Sequence, residues 1–256
     1  MHKDFYVWSA ASRIQYLLGA KNAYAFELAA LCTTNVLALK VGRDLMTADP
    51  RLRAVLICGG HRTADLINFK DPSSRFLYNL SDGGSAILLR RDHPRNRILG
   101  SAFITDGAQS ENVIIPAGGT RRPTSPETLA AGLHTLTVPD PAALKAAMDR
   151  VSEEYFVSVV RRAAEASGAR PEEIAFLALN HMKPSIHRRV LAALGLREGQ
   201  SVYLEDYGHI GAPDQVLALE LAEQAGTLHD GDLVVLASAG LGFTWGATAV
   251  RWGDAR

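Results

Sequence analysis

Two cysteines and eight histidines are the chain's main candidates for nucleophilic and acid–base chemistry, and their settings differ. Cys32 stands in FELAALCTTNVLALKVGRDLM (26–46), where apolar residues at helical spacing begin directly after it. A cysteine in the first turn of a buried helix meets unpaired backbone N–H groups and the positive end of the helix dipole, which favour thiolate over thiol. The competing reading of a lone free cysteine among apolar neighbours is inert core filler. His181 ends an apolar run in LALNHMKPS, either at the strand end where α/β sheets place functional groups or as a satisfied loop histidine. His209 lies between Gly208 and Gly211 in DYGHIGAPD, where glycine lets the backbone turn sharply or approach a ligand. Cys58 and His61 in ICGGHRT form a second possible pair. Cys58 closes a β-type run and is expected in the core, with His61 on a turn.

The elements that must position these residues follow from hydrophobic period and from Gly and Pro punctuation. A helix is expected over Ala11–Leu18, closed by Gly19, and then a short buried strand in AYAFELAAL (23–31). A mostly buried helix from Thr33 ends near Asp49-Pro50, followed by a buried strand AVLICGG (54–60). A Gly-rich turn leads into a strand over Ser85–Leu89, ILGSAFITDG (98–107) gives another, and 116–141 reads as mostly loop. A long helix over about 141–167 starts with Pro and is stopped by Gly168. Then come strand EEIAFLALNH, helix PSIHRRVLAALGL, strand SVYLEDYGHIG (201–211), helix PDQVLALELAEQAG, strand DLVVLASAG and a hairpin strand TWGATAVRW. Alternating helices and buried strands define an α/β chain.

One internal echo organises these elements. ALKVGRDLMTADPRLRAVLICGG (38–60) matches ALELAEQAGTLHDGDLVVLASAG (218–240) without a gap, at an offset of 180 residues. Few positions are identical, yet both units run from a helix through a polar turn into a buried strand ending in small residues, which predicts two similar halves. The loops ahead of the two equivalent helices then carry Cys32 in one half and His209 in the other. A pseudo-twofold would bring them face to face.

Composition bounds the function. With 27 basic and 27 acidic residues there is no global field to recruit nucleic acid or an anionic membrane. No segment has the length of a membrane span or the pattern of an export signal. Two cysteines outside any CxxC or zinc-type spacing predict neither a disulfide framework nor a metal site, and a reducing cytoplasm is expected. GLGFTWG is followed by a strand where a dinucleotide loop needs a helix, and the chain has neither a P-loop nor a GxSxG elbow.

Taken together, AFELAALC, LALNHM, YGHIGAPD and GLGFTWGATAVRW resemble the thiolase-fold condensing enzymes, specifically the ketoacyl-acyl-carrier-protein synthase III branch, and NLSDGGSAILL and FITDG extend the likeness. The resemblance implies an αβαβα layered fold of two halves, 1–135 with the nucleophile and 136–256 with the histidines. It also implies a homodimer and a place in fatty-acid or polyketide biosynthesis. Family chains carry a further stretch ahead of YVWSAASRIQYLLGA, so the N-terminal half is expected to be incomplete, its strands short of neighbours, either through a late-assigned start or as a degenerate fragment.

By the same resemblance Cys32 is acylated, His181 is the first active-site histidine, and His209 stands where most synthase III enzymes have asparagine. Oxyanion donors would be the N–H groups of Cys32 and Leu241, the latter replacing a glycine. No permanently bound cofactor is expected; acyl-coenzyme A or acyl-carrier-protein thioesters are the implied substrates. Condensation with a malonyl thioester is the expected second step, with both histidines on the enolate oxygen. His209 in place of asparagine leaves open acyl transfer to an alcohol or amine, with His181 as base. A non-catalytic partner of a complete condensing subunit is the reading from another class. His187, Arg188 and Arg189 form a local basic patch, read either as a solvated helix face or as a carrier-protein dock.

Overall fold

The computed structural model describes residues 3–254. Ser9 accepts the Ser12 N–H to cap α1 (Ala10–Leu17), and the chain then turns through Gly19. Residues 24–30 form no strand, and Phe26 is exposed, so the buried strand expected there is corrected. Among the described residues no strand lies alongside to pair with it. A 3₁₀ turn over Leu31–Thr33 opens α2 (Thr34–Ala48), whose last turn is closed by the Asp49 N–H on Leu45 O.

β1 (Ala54–His61) and β2 (Gly83–Arg90) form an antiparallel two-stranded sheet. β3 (Arg95–Thr105), α3 (Pro126–Ala130) and α4 (Pro141–Glu165) follow, then β4 (Ile174–Leu179), α5 (Pro184–Ala193), α6 (Asp214–Gln224), β5 (Leu233–Gly240) and β6 (Thr244–Asp254). The second sheet has the order β3-β6-β5-β4, with only the β4–β5 pair parallel. β3, which precedes the division at 135/136, is hydrogen-bonded into this sheet.

β5 and β6 are buried on both faces because alternate residues enter different cores. Leu233, Val235, Ala237, Trp245 and Ala247 join α4 residues such as Val159 and Val160 on one side. On the other, Val234, Leu236 and Val250 meet Val36 and Leu39 of α2 and Ala218 and Ala222 of α6. α2 in turn carries the β1–β2 sheet, where Gly42 leaves room for Leu89 and Val55. Outward from α4 the layers are therefore helix, sheet, helix, sheet.

The far face of β1–β2 is uncovered among the described residues: Leu56 and Leu88, paired in register, are 45% and 59% exposed. Both strands consequently alternate strictly between exposed and half-buried positions, and Cys58 points outward. The expectation of a core Cys58 is corrected on that ground, and His61 is the last residue of β1, not a turn residue.

The strand expected over 201–211 is also absent. That segment runs beside β4 through side chains instead of a backbone ladder: Gln200 Nε2 donates to Ile174 O (3.1 Å) and Ser201 Oγ to Leu177 O (2.7 Å). The halves do repeat as the echo predicts, since α2 leads to β1 and α6 to β5, each strand pairing with the antiparallel strand that follows it. Among the described residues no helix is long and apolar enough to cross a membrane.

Leu236→Ala, in the core between sheet and α2, should cost about 2–5 kcal/mol by urea unfolding. Leu88→Ala on the open face should cost no more than about 0.5 kcal/mol; comparable losses would contradict this layering.

Candidate active site

Cys32 is held by hydroxyl groups of the second sheet. Ser238 Oγ on β5 donates to Cys32 O (2.9 Å), while on β6 Thr248 Oγ1 donates to Val36 O (2.9 Å). Thr33 Oγ1 returns a bond to Thr244 O (2.8 Å). Gly240 brings the β5 backbone against this turn; a Cβ there would lie 2.5 Å from Ala30 O and 3.1 Å from Cys32 N. Leu31, just before the cysteine, has φ +50°, a left-handed conformation unfavourable for a branched side chain. Thr34 clamps that turn, its Oγ1 donating to Leu31 O (2.6 Å) and accepting the Ala30 N–H (2.9 Å). The surroundings thus over-determine a strained backbone beside Cys32.

The two loops singled out by the echo meet: His209 Nε2 is 3.2 Å from Cys32 Sγ, both side chains buried. The His209 backbone is strapped to the other half by its N–H on Asn79 O (2.7 Å) and its carbonyl under the Ser81 N–H (2.9 Å). Behind the ring stands a residue that sequence reasoning missed. Asp214, wholly buried at the first turn of α6, takes His209 Nδ1–H on Oδ2 at 2.6 Å. The same Oδ2 accepts the His181 N–H (2.6 Å), and Oδ1 accepts the Ile210 N–H (2.8 Å). An acid at a helix start reads in sequence as dipole compensation. The signal available was its place five residues after His209, across the Gly211-Ala212-Pro213 turn.

Burial disfavours the His209 imidazolium, but the Cys32 sulfur and the Asp214 carboxylate outweigh it and raise His209 to about 10. At neutral pH the proton therefore resides on His209, between sulfur and carboxylate, as nucleophile activation by a paired base requires.

His181 follows β4 by two residues. Asn180 places it: its N–H donates to Ala237 O (3.2 Å), its Nδ2 to His181 O (3.2 Å), and its Oδ1 accepts the Ala239 N–H (3.1 Å). Burial pushes His181 below its ordinary value, so its ring is neutral at pH 7.

Leu241 lies in the turn after Gly240, the residue that abuts the Cys32 backbone. Of the basic patch, Arg188 is exposed and Arg189 is paired with Glu153 of α4 (2.6 Å). His187 faces the interior, where burial lowers it to about 4, so it brings no charge to the patch. His61 lies with its ring against Gly211 (φ +77°), leaving no room for a Cβ in the His209 loop.

Stacked halves with paired loops around a cysteine define the thiolase-like fold. Residues 26–107 match the family model for 3-oxoacyl-[acyl-carrier-protein (ACP)] synthase III, and residues 164–252 match the model for its C-terminal part. The chain is 33% identical over 246 residues to a β-ketoacyl-[acyl-carrier-protein] synthase III of Symbiobacterium thermophilum, covering 96% of this chain and 72% of the relative. Solved structures of synthase III from Thermus thermophilus and Pseudomonas aeruginosa superpose with TM-scores of 0.82 at 25% identity, over 100% and 99% of this chain and 76% and 74% of theirs. The chain belongs to the 3-oxoacyl-[acyl-carrier-protein] synthase III family.

Histidine NMR titration should find His209 protonated up to near pH 10 and His187 neutral down to near pH 4. A His209 titrating near its ordinary 6.5 would contradict the pairing. Because the unfolded chain binds the His187 proton near 6.5 and the folded chain only near 4, this group's contribution to stability falls as pH drops through that window. The His209 contribution has the opposite sign, present below 6.5 and lost as pH rises toward 10.

Proposed function

We propose that the chain is a synthase III-type acyltransferase that loads an acyl group from a coenzyme A or carrier-protein thioester onto Cys32 and condenses it with a malonyl thioester. The observation that carries this reading is the 3.2 Å contact between Cys32 Sγ and a His209 whose other nitrogen is bonded to buried Asp214.

In the first half-reaction Cys32 sulfur attacks the thioester carbonyl, with the Cys32 and Leu241 N–H groups as donors to the oxyanion. The donor C–S bond breaks, the leaving thiolate takes the proton from His209, and a free thiol departs. Acyl-Cys32 now faces a neutral His209. In the second, the malonyl carboxylate leaves as carbon dioxide and the electron pair becomes an enolate whose oxygen is stabilised by a hydrogen bond from neutral His181. Its carbon attacks the acyl carbonyl and the Cys32 C–S bond breaks. The freed sulfur is paired again once His209 takes a proton from solvent.

A second reading is favoured by Asp214. Neutral, carboxylate-backed His209 beside acyl-Cys32 is equipped to take a proton from an alcohol or amine. Attack by that acceptor would release Cys32 directly and restore the proton to His209, with no carbon dioxide formed. Here His209, not His181, is the base, since Asp214 supports its ring. An assembled Cys32–His209–Asp214 set speaks against a non-catalytic partner subunit. Docking of an acidic carrier protein is assigned to Arg188 and Arg189, the first of them being free of ion pairs among the described residues. A homodimer and a cytoplasmic setting complete the proposal.

Intact-mass measurement after incubation with a panel of acyl thioesters should show acyl addition in wild type and none in Cys32→Ala. His181→Ala should still acylate while carbon dioxide release from malonyl thioester falls about 10²–10³-fold. Acyl loss to an alcohol or amine with no carbon dioxide release would establish the second reading.

A further inference from the structure

His181 and His209 are held by different means. His209 has a carboxylate at Nδ1, whereas His181 Nδ1 is buried without a hydrogen-bond partner among the described residues. A metal- or substrate-facing histidine ordinarily has its ring plane and tautomer fixed by a bond at the far nitrogen. At His181 something else must do this.

The ring of Tyr203 does so by contact. It lies tilted against the His181 imidazole with centroids 4.9 Å apart and planes at 34°. Its hydroxyl donates to Met182 O (3.0 Å), tying it to the residue that follows His181. Buried His187 meets the Tyr203 ring edge-on at 5.3 Å and 79°, so the tyrosine is braced by α5. The segment carrying Tyr203 is itself anchored to β4 by Gln200 and Ser201 and to the core by Leu204, which is 1% exposed. The brace thus acts on the His181 ring, whereas Asp214 holds the His181 backbone through its N–H. It leaves the His181 proton on Nε2, because a shut-in N–H at Nδ1 would have no acceptor.

We infer that Tyr203 is a positioning residue for the second half-reaction, holding the His181 ring by ring contact as the Nε2–H donor, while Asp214 sets up the ring of His209 for acylation. This rests on His181 acting in the second half-reaction.

The experiment compares wild type with Tyr203→Phe, which keeps the ring, and with Tyr203→Leu and Tyr203→Met, two substitutions of differing shape that guard against one failing to fold. Nitrogen–proton correlation spectra of the imidazoles should show a single Nε2–H tautomer for His181 in wild type and Phe, and averaged tautomers in Leu and Met. In single turnover, acyl-Cys32 should form at near wild-type rate in every variant. The second half-reaction should slow about ten- to a hundredfold in Leu and Met and by less than about threefold in Phe. An unchanged His181 spectrum in Leu and Met, or a Phe variant disturbed as much as Leu, would overturn the inference. If no variant, nor the wild type, forms acyl-Cys32, the spectra still decide the positioning role, and the acyl-transfer reading is what fails.

Discussion

The buried carboxylate of Asp214 is the constraint on which the site depends. An anion with no exposure is costly unless its lone pairs are satisfied, and here it accepts one imidazole and two backbone N–H groups. Those three bonds fix the start of the segment after β4, the turn into α6 and the ring of His209. Because one oxygen serves both His181 N–H and His209 Nδ1–H, the two histidine loops cannot move apart without leaving a buried charge short of a donor. Together with the Cys32 sulfur, the carboxylate also holds the His209 proton against burial.

Opposing that anchor, the second sheet grips the helix that follows Cys32. Small hydroxyl residues on β5 and β6, which a purely apolar strand would lack, reach the carbonyls of Cys32 and Val36, and Thr33 reaches back to Thr244. The apolar residues alternating with them fill two separate cores, so the same strands provide both packing and positioning. Strain at Leu31 and close approach at Gly240 are sustained by this framework. The open face of β1–β2 is remote from it in the layering: α2 lies between that sheet and the strands that hold Cys32.

Periodic segments were legible in the sequence: both long helices, the strands β4 to β6, and the repeated helix-to-strand unit that brought Cys32 and His209 together. What was misread has physical causes. Residues 23–31 are mostly apolar and 201–211 include Val, Tyr, Leu and Ile, but strand formation needs a neighbouring ladder, and beside the second segment Gln200 and Ser201 side chains replace it. Cys58 was expected inside because AVLICGG is uniformly apolar, and period alone does not tell whether a sheet face is covered. His187 was counted as a charge because the sequence shows it beside two arginines, although helical geometry turns it inward. Asp214 and Tyr203 escaped because their roles arise from contacts across turns, to residues 5 and 33 positions away for the first and 22 for the second.

The central claim is that Asp214 activates Cys32 through His209. It is tested most directly by the single-turnover rate of acyl-Cys32 formation in Asp214→Asn, with folding checked in parallel. An amide can present its N–H to Nδ1 and trap the wrong tautomer, so acylation should slow at least about a hundredfold with the fold retained. A folded Asp214→Asn protein that acylates at the wild-type rate would contradict the account.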